Sequence, residues 1–95
     1  KLGFLVVTNS HGFNSGIFTD GDLKRLMQKK RAIDNLKIKN FMTKKPYIVD
    51  KNTLASDVLT QMNKRKITNA CVYHKNNKRK TIGVIHIHNL LNILK

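Results

Sequence analysis

Apolar and polar positions fall into blocks that come round twice. FLVVT (4–8) is a short β-branched run, followed by the turn formers of NSHGFNS and a second such run, GIFT. Two apolar runs across a short polar loop predict a hairpin. In DGDLKRLMQKK, Leu23, Leu26 and Met27 stand three and four apart, which predicts a helix with one apolar face. The order is strand, strand, helix.

The same order closes the chain. NACVY (69–73) predicts a strand, HKNNKRKT a basic loop, IGVIHI a strand, and HNLLNILK a helix with Leu90, Leu91 and Leu94 as its apolar positions. Gly16 aligns with Gly83, and Lys1-Leu2 with Lys66-Ile67, once the second copy is given a loop two residues longer. An internal repeat with its length change in a loop is a sign of modular architecture.

The second copy also has a front half. Pro46 and the extended run YIV precede a predicted helix whose Leu54, Val58, Leu59 and Met62 share a face. Thr53 is placed to cap it, Asp57 lies near its positive end, and Lys64, Arg65 and Lys66 lie at its negative end. The full unit is strand, helix, strand, strand, helix, and residue 1 falls where the second copy has reached Lys66. The predicted fold class is α+β. The predicted domains are 1–30 for the rear half of a first repeat, 31–40 for a linker, and 41–95 for a complete second repeat.

Composition narrows the function. Ninety-five residues with 40% hydrophobic content suit one small domain or two small modules. No apolar run approaches the ~20 residues of a membrane span, and the N-terminal residues lack a signal-peptide layout. A single cysteine, Cys71, fits a reducing compartment, so the expected location is the cytoplasm. It is expected to be a small buried residue, and Met27, Met42 and Met62 are expected in the core. The net charge of +14 fits polyanion partners. With no Trp and only scattered Phe and Tyr, there is no stacking platform, so a solvated basic surface is favoured over nucleic-acid binding.

The chain has no Glu and no Gly-rich phosphate loop. The Asp-x-Asp at 20–22 starts like a calcium loop, but no bidentate acid follows. His86 and His88 have only His11 and His74 to join them and no cysteine pair, so no metal or other cofactor is expected. Thr19 or Asp20 is placed to cap the helix that follows GIFT.

The unit FMTKKPYIV…TLASDVLTQMNKRKIT…IGVIHIHNLL resembles a cystathionine-β-synthase-type (CBS) domain, a module that occurs in tandem. GIFTDGDLKR together with IGVIHIHNLL further resembles the C-terminal CBS pair of D-arabinose 5-phosphate isomerases. That resemblance implies tandem CBS repeats, the first truncated at its front. It also implies a catalytic sugar-isomerase domain ahead of residue 1 in the parent chain, so this piece, with no Glu to serve as general base, is not expected to be catalytic. Small size and a half-length first repeat leave apolar surface uncovered, so a homodimer or larger assembly is expected. In CBS domains of this kind, a Thr-x-x-Asp at the strand end contacts nucleotide ligands, with the helix N-terminus near phosphate and the carboxylate on sugar hydroxyls. Thr19 and Asp22 match that pattern. In the second copy His86 takes the Thr position and Asn89 the Asp position, with His88 between them. The expected ligand residues are therefore Thr19, Asp22, His86, His88 and Asn89, with Asp20 left mainly to local capping. The implied ligand is a nucleotide or nucleotide sugar, for which CMP-Kdo, the activated sugar of the same pathway, makes chemical sense. The alternatives are a CBS module acting in dimerisation alone, or a basic nucleic-acid-binding domain.

Overall fold

The computed structural model describes residues 3–29 and 36–93, which belong to two compact units, Lys1–Lys45 and Pro46–Lys95. In the first, β1 (Phe4–Thr8) pairs antiparallel with β2 (Asn14–Thr19), and α1 (Asp20–Gln28) follows without a break. In the second, β3 (Ile48–Asp50) leads into α2 (Ala55–Arg65), β4 (Asn69–His74), β5 (Asn77–His86) and α3 (Ile87–Ile93). The sheet order is β3-β4-β5, with β3 parallel and β5 antiparallel to β4. The fold is α+β, as the alternating blocks predict.

The repeat is visible in the pairing register. Phe4 pairs with Thr19, Val6 with Ile17 and Val7 with Gly16; Asn69 pairs with His86, Cys71 with Val84 and Val72 with Gly83. Both hairpins then slip register at the next step, after Val7 and after Val72. The bulge bends each hairpin at the same place.

The second hairpin differs from its predicted form. HKNNKRKT is mostly strand, because β5 begins at Asn77 and only Lys75 and Asn76 turn the chain. Lys and Asn have low strand propensity, but cross-strand pairing overrides it. The two extra residues of the second copy thus lengthen the hairpin.

The second unit has its core between α2, α3 and the sheet, formed by Val49, Val58, Met62, Ala70 and Leu90. Cys71 and Met62 are fully buried. Arg65 lies 4.3 Å over the ring of Tyr47, whose side chain packs on the same core. Thr53 does not cap α2: the N-cap is Leu54, and no side chain supplies a cap bond there. Asp50 instead holds the turn before the helix, its Oδ1 accepting from Asn52 N–H at 2.8 Å. Lys66 ends α2 in the left-handed region (φ 57°), and Ile67 N–H returns to the Met62 carbonyl at 3.0 Å.

In α1 only Leu26 of the predicted face is buried; Leu23 and Met27 are exposed, so Met27 is not a core residue. Among the described residues, the first unit has no counterpart of β3 or α2 to cover them. Of the predicted linker, residues 31–35 lie outside the described residues, while Ile38–Asn40 form a 3-10 turn. Thr43, placed by the sequence in the second repeat, hydrogen-bonds to β2. Ile17 N–H donates to Thr43 O at 2.9 Å, and Thr43 N–H to Ile17 O at 2.7 Å. Gly16 makes this approach possible, because a Cβ there would lie 2.5 Å from the Thr43 carbonyl oxygen. No helix among the described residues is long and apolar enough to cross a membrane.

Candidate functional site: two matching strand-to-helix corners

Each copy turns from strand to helix through the same type of cap. At the first corner Thr19 is the N-cap of α1: its Oγ1 accepts from Asp22 N–H at 3.1 Å, and Asp22 Oδ2 accepts from Thr19 N–H at 2.9 Å. This reciprocal box satisfies two backbone donors that the helix start would otherwise strand. Capping therefore falls to Thr19 and Asp22; Asp20 is exposed and does not fill the box. The Thr-x-x-acid spacing that carries the box was present in the sequence.

Asp22 is 1% exposed, and both its carboxylate oxygens are engaged. The Arg25 guanidinium donates to Oδ1 from one helical turn on. The Thr43 hydroxyl lies 3.1 Å from both oxygens. Burial pushes the Asp22 carboxyl up, but hydrogen bonds from the Thr19 backbone and with the Thr43, Thr19 and Arg25 side chains outweigh it. The net effect holds Asp22 below the usual carboxylate range. Arg25 and Thr43 were missed from sequence. Arg25 was findable as the i+3 neighbour of Asp22, whereas no local pattern signals Thr43.

At the second corner His86 precedes α3, and Asn89 Oδ1 accepts from His86 N–H at 3.0 Å, as Asp22 does from Thr19. His86 Nδ1 accepts from His88 N–H at 3.2 Å, and the two rings stack with centroids 4.9 Å apart. An acceptor at Nδ1 requires that nitrogen to be unprotonated. Across the hairpin from His86, Asn69 has a buried Oδ1 without a hydrogen-bond partner. The structure thus groups Thr19 with Asp22, and His86 with His88 and Asn89, each group within its own unit. Among the described residues no three His, Cys, Asp or Glu side chains lie together as a metal site.

Known proteins match this arrangement. The CBS domain family matches residues 38–95. An arabinose 5-phosphate isomerase KdsD from Yersinia pestis is 37% identical over 96% of this chain, and a KpsF isomerase from Escherichia coli 30% identical over 90%. The chain spans only 27% and 25% of those two relatives. Among solved structures, a CBS-domain signal-transduction protein from Burkholderia ambifaria covers 97% of this chain at TM-score 0.83 and 22% identity; the chain covers 65% of it. The CBS pair of protein MJ0100, solved with 5′-methylthioadenosine and S-adenosyl-L-methionine, covers 96% at TM-score 0.76 and 23% identity; the chain covers 68% of it. The family match takes in the second unit whole, and the shared register carries the same hairpin and helix back through the first: this chain belongs to the CBS domain family, as a tandem pair.

Proposed function

We propose that the chain is the regulatory CBS portion of an arabinose 5-phosphate isomerase, acting in the cytoplasm on the route to the lipopolysaccharide or capsule sugar Kdo. The observation that carries this reading is its 30–37% identity to KdsD and KpsF enzymes over 90–96% of the chain. In this reading a catalytic sugar-isomerase domain of the same parent chain supplies the chemistry, the assembly is a homodimer or larger, and the CBS pair adjusts activity.

The regulator is a nucleotide or nucleotide sugar, with CMP-Kdo as the leading candidate. Within each unit one corner is the candidate recipient, Thr19 with Asp22 in the first and His86 with His88 and Asn89 in the second. A sugar diol reaches Asp22 by replacing Arg25 on Oδ1, which releases the guanidinium to take the ligand's phosphate or carboxylate. At the second corner the unsatisfied Asn69 Oδ1 favours a ligand donor beside His86. The nucleoside-derived ligands of the MJ0100 pair are chemically akin to this proposal.

Differential scanning fluorimetry tests it. Saturating CMP-Kdo should raise the melting temperature of the wild-type chain, with a smaller rise in Asp22→Asn. No shift with CMP-Kdo beside a clear shift with ATP or AMP would sink the assignment.

One observation favours a second reading, in which the pair serves assembly alone. Both Asp22 oxygens are already occupied within the chain. A chain that dimerises and gives no thermal shift with any of the three ligands would establish that reading instead.

A further inference from the structure

The two hairpins share a register but not a charge. From Phe4 to Thr19 the first carries no Lys, Arg, Asp or Glu. From Asn69 to His86 the second carries Lys75, Lys78, Arg79 and Lys80 and no acid. A basic composition spread evenly over the surface would have charged both. The cations also sit where the second hairpin is irregular. His74 pairs with Asn77 and Tyr73 with Thr81, so Lys78, Arg79 and Lys80 fall inside the register shift. A bulge of this kind re-aims the side chains it carries. All three are exposed, as are His74 and Lys75.

The tip is ordered rather than loose. His74 Nδ1 accepts from Asn76 N–H at 3.3 Å, and Asn77 Oδ1 accepts from Arg79 N–H at 3.0 Å. Lys75, Lys78 and Lys80 make no ion pair among the described residues. The one acid of the β3-β4-β5 sheet is Asp50, opposite Tyr73, and its Oδ1 already accepts from Asn52 N–H. The chain therefore concentrates positive charge at this tip without neutralising it, and an external polyanion is the natural complement.

We propose that the tip of the β4–β5 hairpin binds double-stranded DNA through its phosphates, without sequence preference. The side chains at 74–80 select this partner. Protein interfaces are poor in Lys and are anchored by aromatic or apolar groups, and this segment has no Phe, Tyr, Trp or aliphatic side chain. For the same reason it has nothing to insert into the interface of a bilayer. Single strands are held by stacking on aromatic rings, which the tip lacks. A duplex needs none of these. Its phosphates attract cations directly, and its major groove, about 12 Å wide, admits a two-stranded ribbon. The inference stands apart from the ligand reading of the corners, since Asn69 and His86 pair at the opposite end of this hairpin.

The test is a fluorescein-labelled 20-base-pair DNA duplex titrated with the 95-residue chain at 50 to 200 mM salt and followed by anisotropy. Saturable binding is expected, with a slope of log K against log salt of about −3 to −4, one phosphate for each cation of the tip. Replacing Lys75, Lys78 and Lys80 together by Gln should keep the wild-type circular dichroism spectrum and make the slope shallower by about 2 to 3. Lys24→Gln, Lys39→Gln and Lys64→Gln together remove the same charge from exposed positions elsewhere and should leave the slope nearly unchanged. No saturable binding at 50 mM salt overturns the proposal. So does an equal change of slope in the two triple variants, which would assign binding to the charge of the whole surface. Tighter binding to a single strand of the same length, or binding to phosphatidylserine vesicles with none to the duplex, overturns it equally.

Discussion

The Thr43 hydroxyl lies within hydrogen-bonding distance of both carboxylate oxygens of Asp22, 3.1 Å from each, and so ties a segment 21 residues downstream to the start of α1. Asp22 also closes the capping box with Thr19 and receives Arg25. One buried carboxylate thus joins the end of β2, the first turn of α1 and residues 41–43.

Asp22→Ala removes all of these bonds and leaves the Thr19 N–H without its acceptor. The expected loss is about 2–3 kcal/mol, combining a helix cap with hydrogen bonds to a buried charge. Thr43→Val keeps the shape and removes only the hydroxyl, and should cost about 1 kcal/mol. Urea unfolding of the three proteins measures both. A loss for Asp22→Ala no larger than for Thr43→Val would show that the carboxylate organises nothing beyond that single contact.

The same carboxylate gives stability a pH dependence of known sign. Its pKa in the folded chain is depressed, because hydrogen bonds to the charged form outweigh the burial that pushes it up. The unfolded chain therefore takes up this proton first on acidification. The contribution of Asp22 is fully present above the ordinary Asp value of about 3.9 and is lost as pH falls through the lower, folded value. Thermal unfolding between pH 6 and 2.5 should show wild type losing more stability than Asp22→Asn over the acid end of that range. Parallel curves for the two proteins would contradict the assignment.

How much of this was legible in the sequence depends on the range of the interaction. The hairpins, the helices and the Thr-x-x-Asp cap are written at spacings of two to four residues, and periodicity exposes them. The tie from Asp22 to Thr43 and the bridge from Ile17 to Thr43 are not, because nothing local marks a threonine that will meet a carboxylate 21 positions away. Thr43, which the sequence places in the second repeat, is held to Ile17 and Asp22 by these bonds, and no local pattern marks that tie. The apolar face of α1 misled for a related reason. Leu23 and Met27 have the right spacing for a core, but spacing says nothing of whether an element is present to cover them. A ligand role for Asp22 is a proposal that rests on family resemblance, and any ligand there must first contend with Arg25 and Thr43.

Gly16 allows the close approach of residues 42–43 to β2. A Cβ there would meet the Thr43 carbonyl oxygen at 2.5 Å and the Met42 sulfur at 3.2 Å. Gly16→Ala should therefore push residues 42–43 off β2, weaken both Ile17–Thr43 backbone bonds and cost about 1–3 kcal/mol. Because the Thr43 hydroxyl rides on the same segment, Gly16→Ala and Thr43→Val should not be additive. A double-mutant cycle in urea reads this directly: the double variant should lose less than the sum of the singles. Strict additivity would mean that the bridge and the Asp22 contact are independent.

Leu5 and Ala70 make the sharpest comparison, because the two hairpins place them at the same register step and the second unit covers only Ala70. Ala70 is 0% exposed and packed with Val58 and Met62, so no room exists for a larger side chain. Ala70→Leu should overpack that core and destabilise the chain by about 1–3 kcal/mol. Leu5→Ala removes as much side chain as Ala70→Leu adds, but from a largely exposed site, and should change stability by no more than about 0.5 kcal/mol. The two substitutions thus test whether equal register means equal packing. Were Leu5 packed as Ala70 is, Leu5→Ala would carry the cost of a core truncation, about 2–5 kcal/mol. Urea unfolding of wild type, Leu5→Ala and Ala70→Leu reads the difference directly, and a Leu5→Ala loss as large as that of Ala70→Leu would contradict the exposure of Leu5.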